Sequence, residues 1–453
     1  MIMVCFFDSI NKYVWGIPVL ILIFATGIYF TVHTKFAQLR LLPSAIKLLF
    51  SSLHTKEESE ENTAFRALCT ALAATVGTGN LAGVAGAIAI GGPGAIFWIW
   101  VSGVLGMVIK FAEVTLSVKH RIRDSSGQWV GGPMVTIANS MPEKFHCLAY
   151  IYCFFGIIAS FGVGNATQVN AVIGSLEMVI SQVTCATPKF WNLIVGIVLA
   201  AIIFAAFQKR GANIGQWTQI LIPFAAGAYI VLSLLAVIKN FNRIPYVCVQ
   251  IISGAFQPGG LTGGLIVSAY QVMRIGISRG IFTNESGMGT ASIAHAKTTY
   301  TDPIKQGLLG ISEVFIDTIL ICSLTAFVIL TSDISIPYGT DSGILLTMDA
   351  FSSVYGPWIC YPLMAIVCLF AVATILGWGS YGLDLFQFLF GNSCWRSYLF
   401  MQIFVVLFSV IAKTPLVWTL SEILNGLMAI PNLIMLLYFS REFIQMTKAY
   451  RYV

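Results

Sequence analysis

Charged residues are scarce in this sequence: Asp, Glu, Lys and Arg together make up 10% of its 453 residues. A soluble globular chain carries roughly 25% of such residues, so this chain has too few to cover a water-exposed surface. Apolar residues make up 57% of the sequence and form long runs from end to end. Because about 20 apolar residues span the hydrocarbon core of a bilayer, the composition predicts one all-α polytopic bundle rather than several soluble domains.

The sequence also lacks recognisable patterns of metal-ligating or nucleophilic residues. Its ten cysteines show no paired spacing of a disulfide or zinc framework, and its five histidines form no HExxH motif. An enzyme would need a convergent nucleophile and base, or clustered ligands. A membrane-embedded enzyme is therefore the weaker alternative, and we expect neither catalytic residues nor an organic cofactor.

The formal net charge of +6 does not indicate a nucleic-acid partner. Lys and Arg lie between the apolar runs rather than on one basic face, as a nucleic-acid interface would require. The partners that we expect are the lipid bilayer and a small ligand, and no obligatory protein partner is evident.

The apolar runs predict about eleven spans and a short surface helix over 246–256. An amphipathic stretch over 36–52 follows the first span. The approximate bounds of the spans are 13–32, 63–90, 93–118, 145–180, 191–207, 214–238, 262–296, 304–331, 356–389, 397–412 and 415–440.

Basic residues in the connections predict the orientation. With the C-terminus cytoplasmic, the inner side carries sixteen Lys and Arg residues. The outer side then carries five, which are Lys12, Lys189, Lys239, Arg243 and Lys413. This asymmetry predicts a protein of the cell inner membrane with its N-terminus outside.

Two of the predicted spans contain clusters of glycine and polar residues, at 75–80 and at 276–289. Each glycine costs about 1 kcal/mol in a helix interior relative to alanine. Backbone groups freed by a break are tolerated in hydrocarbon only where they line a protein or water cavity. We therefore predict that both segments are unwound in the middle of the membrane and that they form a binding site.

The two interruptions also predict the organisation of the chain. Corresponding breaks in two halves are typical of inverted-repeat transporters, which bind substrate and ions at the bilayer midplane. The predicted divisions are an N-terminal helix with its amphipathic segment over 1–62, five-helix repeats over 63–243 and 244–440, and a cytoplasmic tail over 441–453.

The chemistry of the first interruption favours a zwitterion and a hard cation. Half-helix N–H groups hold a carboxylate, while carbonyl and hydroxyl oxygens suit sodium. We expect sodium to be bound by backbone oxygens of Thr75 and Val76 and by the hydroxyl of Thr374. Gln168 is a candidate for the polar rim, and Trp378 for the wall that limits side-chain size. Packing and interhelical hydrogen bonding are the alternatives for these two residues.

Charged residues within the predicted spans need partners, because charge is costly in lipid. No Asp or Glu lies within 75–80, and none is evidently opposite it. Lys110 and Glu113 are three positions apart, and we expect them to pair on one helix face. Glu285 and Asp317 lie around the second interruption. They are candidates for a gate or a proton relay, or for local pairing alone.

Several motifs resemble the alanine or glycine:cation symporter family over nearly the whole chain. They are GGPGAIFWIWV at 91–101, ATVGTGNLAGV at 74–84, GGPM at 131–134 and RGIFTNESG at 279–287. The resemblance implies a LeuT-type fold of two five-helix inverted repeats with one extra N-terminal helix. It also implies sodium or proton coupling, alanine or glycine as substrate, and substrate contacts at Thr78, Gly79, Asn80, Gln168, Ile275 and Gly276.

Two departures from the family pattern affect the site. Ile275 stands where many members have an aromatic residue, and Ala373 stands where a second hydroxyl is common. The expected function is the import of a small neutral amino acid with sodium, and a proton-coupled permease of the same fold is the alternative. The preferred amino acid, its L or D form, the stoichiometry and the oligomeric state stay open.

Overall fold

The computed structural model is almost entirely helical. It describes residues 7, 9–11, 13–52, 60–125, 127–183, 189–208, 214–257, 268–340, 343–411 and 414–450. Strands in this part of the chain are confined to one antiparallel hairpin, β1 (Ile122–Arg123) with β2 (Trp129–Val130). Residues 262–267 of a predicted span and 451–453 of the predicted tail lie outside the described residues.

The helices of the described chain are numbered in sequence order. They are α1 (Ile17–His33), α2 (Ala37–Arg40), α3 (Leu42–Ser52), α4 (Glu60–Thr75), α5 (Val84–Gly91), α6 (Ala95–Lys119), α7 (Pro133–Ser140), α8 (Cys147–Phe161), α9 (Thr167–Val183), α10 (Lys189–Phe207), α11 (Ile214–Lys239), α12 (Ile244–Phe256), α13 (Ala269–Asn284), α14 (Thr290–Ala296), α15 (Pro303–Val314), α16 (Ser323–Thr331), α17 (Ile344–Tyr355), α18 (Cys360–Phe390), α19 (Trp395–Ser409), α20 (Thr414–Tyr438) and α21 (Ser440–Ala449).

Three π-helical turns interrupt this series, and each joins a longer helical path. They lie at Gly79–Gly83 before α5, at Gly162–Ala166 between α8 and α9, and at Phe315–Cys322 between α15 and α16. Such turns are frequent at functional sites. Two of them contain residues that the sequence predicts to be functional, Asn80 and Asp317.

Length and apolar composition confirm a multi-pass membrane protein. In the described residues, seven helical stretches can cross a bilayer, or eight if the bent pair Glu60–Thr75 and Gly79–Gly91 forms one span. The first apolar helix, Pro18–His33, is shorter. Large apolar side chains such as Ile220, Phe224 and Phe404 are exposed, as expected of a surface that faces lipid. The eleven spans remain a prediction.

Several structured segments were not predicted from the sequence. They are α7, the β1–β2 hairpin, and α17, which lies between the helical path of α15–α16 and α18. The predicted surface helix does exist, as α12. It packs closely on the start of α6, because a Cβ at Gly94 would collide with the backbone at Gly254.

Two helical paths in the core are broken, and they run antiparallel to each other. The first, α4 to α5, bends by 44° at 76–78. The second, α13 to α14, is interrupted by turns at 285–289. The α4 half of one path packs on the α14 half of the other, and α5 packs on α13. This is the arrangement that an inverted pair of broken helices requires.

The expectation that the second interruption begins at 276 is wrong. Ile275 and Gly276 lie in the continuous helix α13, and the backbone leaves helical geometry only at Glu285, where φ is 54°. Gly276 faces α6, because a Cβ there would collide with the Ala95 carbonyl oxygen. The glycine allows the two helices to approach closely. Composition alone does not distinguish a glycine of this kind from one that breaks a helix.

Replacing Gly276 by alanine should destabilise the bundle. The added methyl meets the Ala95 carbonyl oxygen and lies 2.6 Å from the Trp98 Cβ, and overpacking of this kind costs about 1–3 kcal/mol. We expect a lower unfolding temperature for Gly276→Ala in detergent. The matched control is Gly227→Ala on α11, where no described atom lies within 4 Å of the new methyl. An unfolding temperature equal to that of the control would contradict the packing role.

Candidate functional site

The first interruption is held open by the side chain of Asn80. In a continuous helix the N–H of Gly77 would bond to the Ala73 carbonyl, but here it donates to Asn80 Oδ1 at 2.9 Å. The regular pattern resumes when the N–H of Ala82 donates to the Thr78 carbonyl at 2.8 Å. The whole segment is buried. The Asn80 side chain therefore stabilises the break, because it replaces the carbonyl partner that the Gly77 N–H would have in a continuous helix.

The hydroxyl of Thr374 on α18 lies directly against this break. A Cβ at position 77 would collide with Thr374 Oγ1, so only glycine leaves room for the hydroxyl there. Among the described residues, the buried Thr374 Oγ1 has no hydrogen-bond partner. A buried hydroxyl without a partner is costly. This oxygen is thus suited to an additional ligand at the break.

Gln168 on α9 joins the same group. Its Oε1 accepts a hydrogen bond from the Thr78 hydroxyl at 2.8 Å, while its Nε2 donates to the Val163 carbonyl at 3.1 Å. The Val163 carbonyl belongs to the π-helical turn before α9. The structure thus brings Thr78, Gln168 and Thr374, three predicted site residues from three helical paths, to one place.

A carboxylate does lie opposite the first interruption, contrary to the sequence-based expectation. Asp317 Oδ1 accepts a hydrogen bond from Asn80 Nδ2 at 2.6 Å, and its Oδ2 accepts from the Thr318 hydroxyl at 2.8 Å. Asp317 is completely buried. The donors shown are neutral, so a carboxyl group lies at the first interruption in a setting of low dielectric.

The remaining predicted residues of the first interruption have different surroundings. The Thr75 hydroxyl donates back to the Ala71 carbonyl at 3.2 Å, so its contribution to a cation would come from the backbone. Gly79 faces α13, because a Cβ there would lie 3.5 Å from the Thr283 methyl and 3.6 Å from the Phe282 ring. Phe282, which we did not predict, therefore borders the first interruption.

Glu113 on α6 anchors the second interruption. Its Oε1 accepts hydrogen bonds from the N–H groups of Gly287 and Gly289, at 2.8 and 3.1 Å, and from Asn432 Nδ2 at 2.7 Å. The predicted pairing of Glu113 with Lys110 is wrong. The Lys110 ammonium lies 3.3 Å from Glu313 instead. The two unwound N–H groups of the loop and the Asn432 amide together provide the donors to Glu113.

Glu285 and Trp378 meet at the same interruption. The indole N–H of Trp378 donates to Glu285 Oε1 at 2.6 Å, and the Thr290 hydroxyl donates to Oε2 at 2.5 Å. Trp378 also packs against Gly164, where a Cβ would collide with the Trp378 Cβ. Glu285 thus connects the end of α13 to α18 and to the start of α14.

A cavity of about 230 Å³ lies along α13, at a distance from both interruptions. Ile275 lines it, ten positions before Glu285 and therefore roughly 15 Å away along the helix. On its wall, Arg279 Nε lies 3.1 Å from Glu422 Oε1, and Asn11 Nδ2 donates to Glu422 Oε2 at 2.7 Å. The structure thus places Ile275 on the wall of this cavity.

Comparison with known proteins identifies the family. The profile described as the sodium:alanine symporter family matches residues 1–453. The sodium/alanine symporter AgcS of Methanococcus maripaludis is 38% identical over 448 residues, which cover 98% of this chain and 96% of that protein. An uncharacterised transporter of Haemophilus influenzae is 37% identical over 447 residues, which cover 98% and 95%. The chain therefore belongs to the sodium:alanine symporter family, a transporter family.

The fold is shared with solved transporter structures. The crystal structure of MhsT in complex with L-phenylalanine superposes with a TM-score of 0.60 at 14% identity, over 86% of this chain and 92% of that one. Similarity at this identity establishes the fold alone. It confirms the predicted LeuT-type helical architecture.

Replacing Glu113 by glutamine tests the anchoring of the second interruption. The amide oxygen can take the place of Oε1, but it loses the charge that strengthens three hydrogen bonds, at a cost of about 2 kcal/mol. We expect Glu113→Gln to lower the unfolding temperature in detergent. The exposed Glu143 at the start of a 3₁₀ turn gives the control, Glu143→Gln. Equal stability of the two variants would contradict the anchoring role.

Proposed function

We propose that this member of the sodium:alanine symporter family imports a small neutral amino acid, alanine or glycine, together with sodium, by alternating access. The observation that carries the proposal is the buried interruption at 75–80, where neutral polar groups and one carboxylate converge. The name of the relative from Methanococcus maripaludis, a sodium/alanine symporter, is consistent with this substrate class. Transport, and not catalysis, is the activity that such a site serves.

We assign the amino acid to the first interruption. Thr78, Gly79 and Asn80 offer backbone dipoles at the start of a helical segment, which favours a carboxylate. Gln168 lies within reach, since its Oε1 is 3.6 Å from the position of a Cβ at Gly77. The Phe282 ring and the Thr283 methyl close the space beside Gly79. This limited room favours a small side chain.

We assign sodium to the oxygen atoms around Gly77. The Thr374 hydroxyl and the carbonyls of Thr75 and Val76 are hard ligands of the kind that an alkali cation takes. A bound cation would satisfy the buried hydroxyl that lacks a partner in the described structure. Asp317, through its contact with Asn80, supplies a negative charge that would stabilise either the sodium ion or the substrate ammonium.

The second interruption serves as the moving joint in this proposal. Glu285 and Trp378 would link motion of α14 to the substrate site, because they bridge the break to α18. Two five-helix repeats over 63–243 and 244–440 would rock about the two breaks. We further propose the inner membrane as location, with the N-terminus outside and the C-terminus cytoplasmic, on the asymmetry of basic residues.

Uptake by proteoliposomes tests the proposed function. Purified protein is reconstituted, and entry of labelled alanine and glycine is measured with an inward sodium gradient, with an inward proton gradient and with neither. We expect accumulation only with the sodium gradient. Equal accumulation with and without sodium would remove the coupling to sodium, and accumulation with protons alone would favour the proton-coupled alternative.

Replacing Thr374 by valine tests the cation site. The substitution keeps the shape and removes one oxygen ligand, so we expect the sodium concentration for half-maximal uptake to rise about tenfold, as for loss of one hydrogen bond to a charged group. Thr26→Val on α1 is the matched control, since that buried hydroxyl bonds to its own helix at the Leu22 carbonyl. An unchanged sodium dependence in Thr374→Val would exclude Thr374 as a ligand.

A further inference from the structure

The cavity along α13 is bordered by charged side chains that the proposed transport site does not use. It lies between α13, the start of α20, the end of α5 and the segment before α1. In the proposed orientation these segments face the outside, so the cavity is on the entry side of the protein. Drug-sized ligands occupy pockets of about 300–1,000 Å³, and this cavity of about 230 Å³ therefore has room for a smaller molecule.

Arg274 is a charged residue of this cavity that has no counterpart within the described protein. It is half-buried, yet its guanidinium has neither a hydrogen bond nor an ion pair among the described residues. Ser278 lies one turn further along the same face of α13. It is buried, and its hydroxyl has no partner in the described part of the chain either. A guanidinium fork matches a carboxylate, so these two side chains are suited to bind the carboxylate of a ligand.

Glu422 on α20 provides the opposite charge in the same cavity. Its Oε1 lies 3.1 Å from Arg279 Nε, and its Oε2 accepts a hydrogen bond from Asn11 Nδ2 at 2.7 Å. The indole N–H of Trp15 donates to the Glu422 backbone carbonyl at 2.7 Å. These contacts fix the position of the side chain. Because a carboxylate offers about four acceptor positions, Glu422 can still accept a hydrogen bond from the ammonium group of a ligand.

Two aromatic rings separate this cavity from the first interruption. Trp418 lines the cavity, and its ring centre lies 4.9 Å from that of Phe282. The Phe282 ring in turn lies 3.6 Å from the position of a Cβ at Gly79. The Arg279 guanidinium is 5.0 Å from the centre of the Trp418 ring. A ligand in the cavity is therefore one layer of side chains away from the proposed substrate site.

We propose that this cavity is a second binding site for a zwitterionic amino acid, in which Arg274 and Ser278 hold the carboxylate and Glu422 holds the ammonium. The inference rests on the proposed function, because it takes the transported amino acid as the ligand. None of these three residues belongs to the proposed sodium site, so binding here does not require sodium. Separation of Phe282 from Trp418 would then let the amino acid pass to the first interruption.

Equilibrium dialysis of the purified full-length protein with labelled alanine in sodium-free buffer tests the second site. We expect the wild type to bind alanine, and the dissociation constant of Arg274→Gln to be about tenfold higher, as for loss of hydrogen bonds from a charged group. The substitution removes no hydrogen bond or ion pair of the described structure, so the loss reports on the ligand.

Lys239→Gln is the matched control for this measurement. Lys239 is an exposed residue at the end of α11, and its replacement removes one positive charge on the same side of the protein. We expect it to bind alanine as the wild type does. Absence of sodium-free binding in the wild type, or equal binding by the wild type and Arg274→Gln, overturns the proposal.

Competing ligands test the chemistry of the site. Propionate carries the carboxylate of alanine without its ammonium, and ethylamine carries the ammonium without the carboxylate. We expect neither to displace labelled alanine at concentrations at which unlabelled alanine displaces half of it. Displacement by propionate as effective as that by alanine would show a site for carboxylates alone and would contradict the role of Glu422.

A cysteine on the cavity wall keeps the test valid if Arg274→Gln does not fold. Ile275 lines the cavity, and Ile275→Cys leaves the three proposed ligand residues unchanged. In sodium-free buffer, alanine at its dissociation constant should slow labelling of this thiol by a maleimide by about half, because half of the sites are occupied. Phe241→Cys, at an exposed position after α11, is the control and should show no protection. Equal labelling of Ile275→Cys with and without alanine overturns the proposal.

The outcomes separate this inference from the proposed function. Sodium-driven uptake, together with sodium-free binding that is unchanged in Arg274→Gln, would overturn the second site and leave the proposed function intact. Binding that depends on Arg274, without sodium-driven uptake, would instead contradict the proposed function and support the second site.

Discussion

A peptide group in hydrocarbon must find a hydrogen-bond partner inside the protein. Both broken helical paths of this structure meet that requirement with side chains. The Asn80 side chain accepts a hydrogen bond from the N–H of Gly77 in place of a carbonyl. Glu113 accepts hydrogen bonds from the N–H groups of Gly287 and Gly289. Without these two side chains, the interruptions would be continuous helix or would be too costly to bury. The proposed binding site and its proposed motion depend on this replacement of peptide partners by side chains.

The two interruptions are stabilised in different ways, and the difference suggests different roles. At the first, amides and hydroxyls surround the break together with one carboxyl group, Asp317, and Thr374 Oγ1 lies beside Gly77 without a partner in the described structure. At the second, Glu113 and Glu285 between them accept hydrogen bonds from five donors. The Thr374 hydroxyl without a partner at the first interruption favours ligand binding. The five hydrogen bonds to Glu113 and Glu285 at the second are consistent with the proposed role as a moving joint.

Sequence patterns predicted the first interruption well and the second only in part. The cluster at 75–80 combines glycine with polar residues whose side chains hold the break, so composition and geometry agree. Gly276 and Gly280 belong to the same composition class, yet they serve packing against α6, where Cβ atoms would meet Ala95 and Ser102. Single-sequence reasoning cannot separate these two uses of glycine, because the neighbouring helix is not visible in the local sequence.

Long-range partners were the main element that the sequence did not reveal. Asp317 is 237 positions from Asn80, and Asn432 is 319 positions from Glu113. Local spacing suggested a pair between Lys110 and Glu113, whereas the fold gives each of them a distant partner. Gln168 was predicted as a site candidate because it is a polar group in apolar surroundings, Thr374 because a hydroxyl oxygen suits sodium, and Trp378 because a bulky ring could limit the size of the substrate side chain.

The central claim is that the unwound backbone at 75–80 binds the amino acid and sodium. Hydrogen exchange of the purified protein, followed by mass spectrometry with and without sodium and alanine, tests this claim directly. We expect peptides covering 76–80 to exchange more slowly only when both ligands are present, with a smaller effect at 285–289. Protection that appears elsewhere in the chain, with 76–80 unchanged, would contradict it.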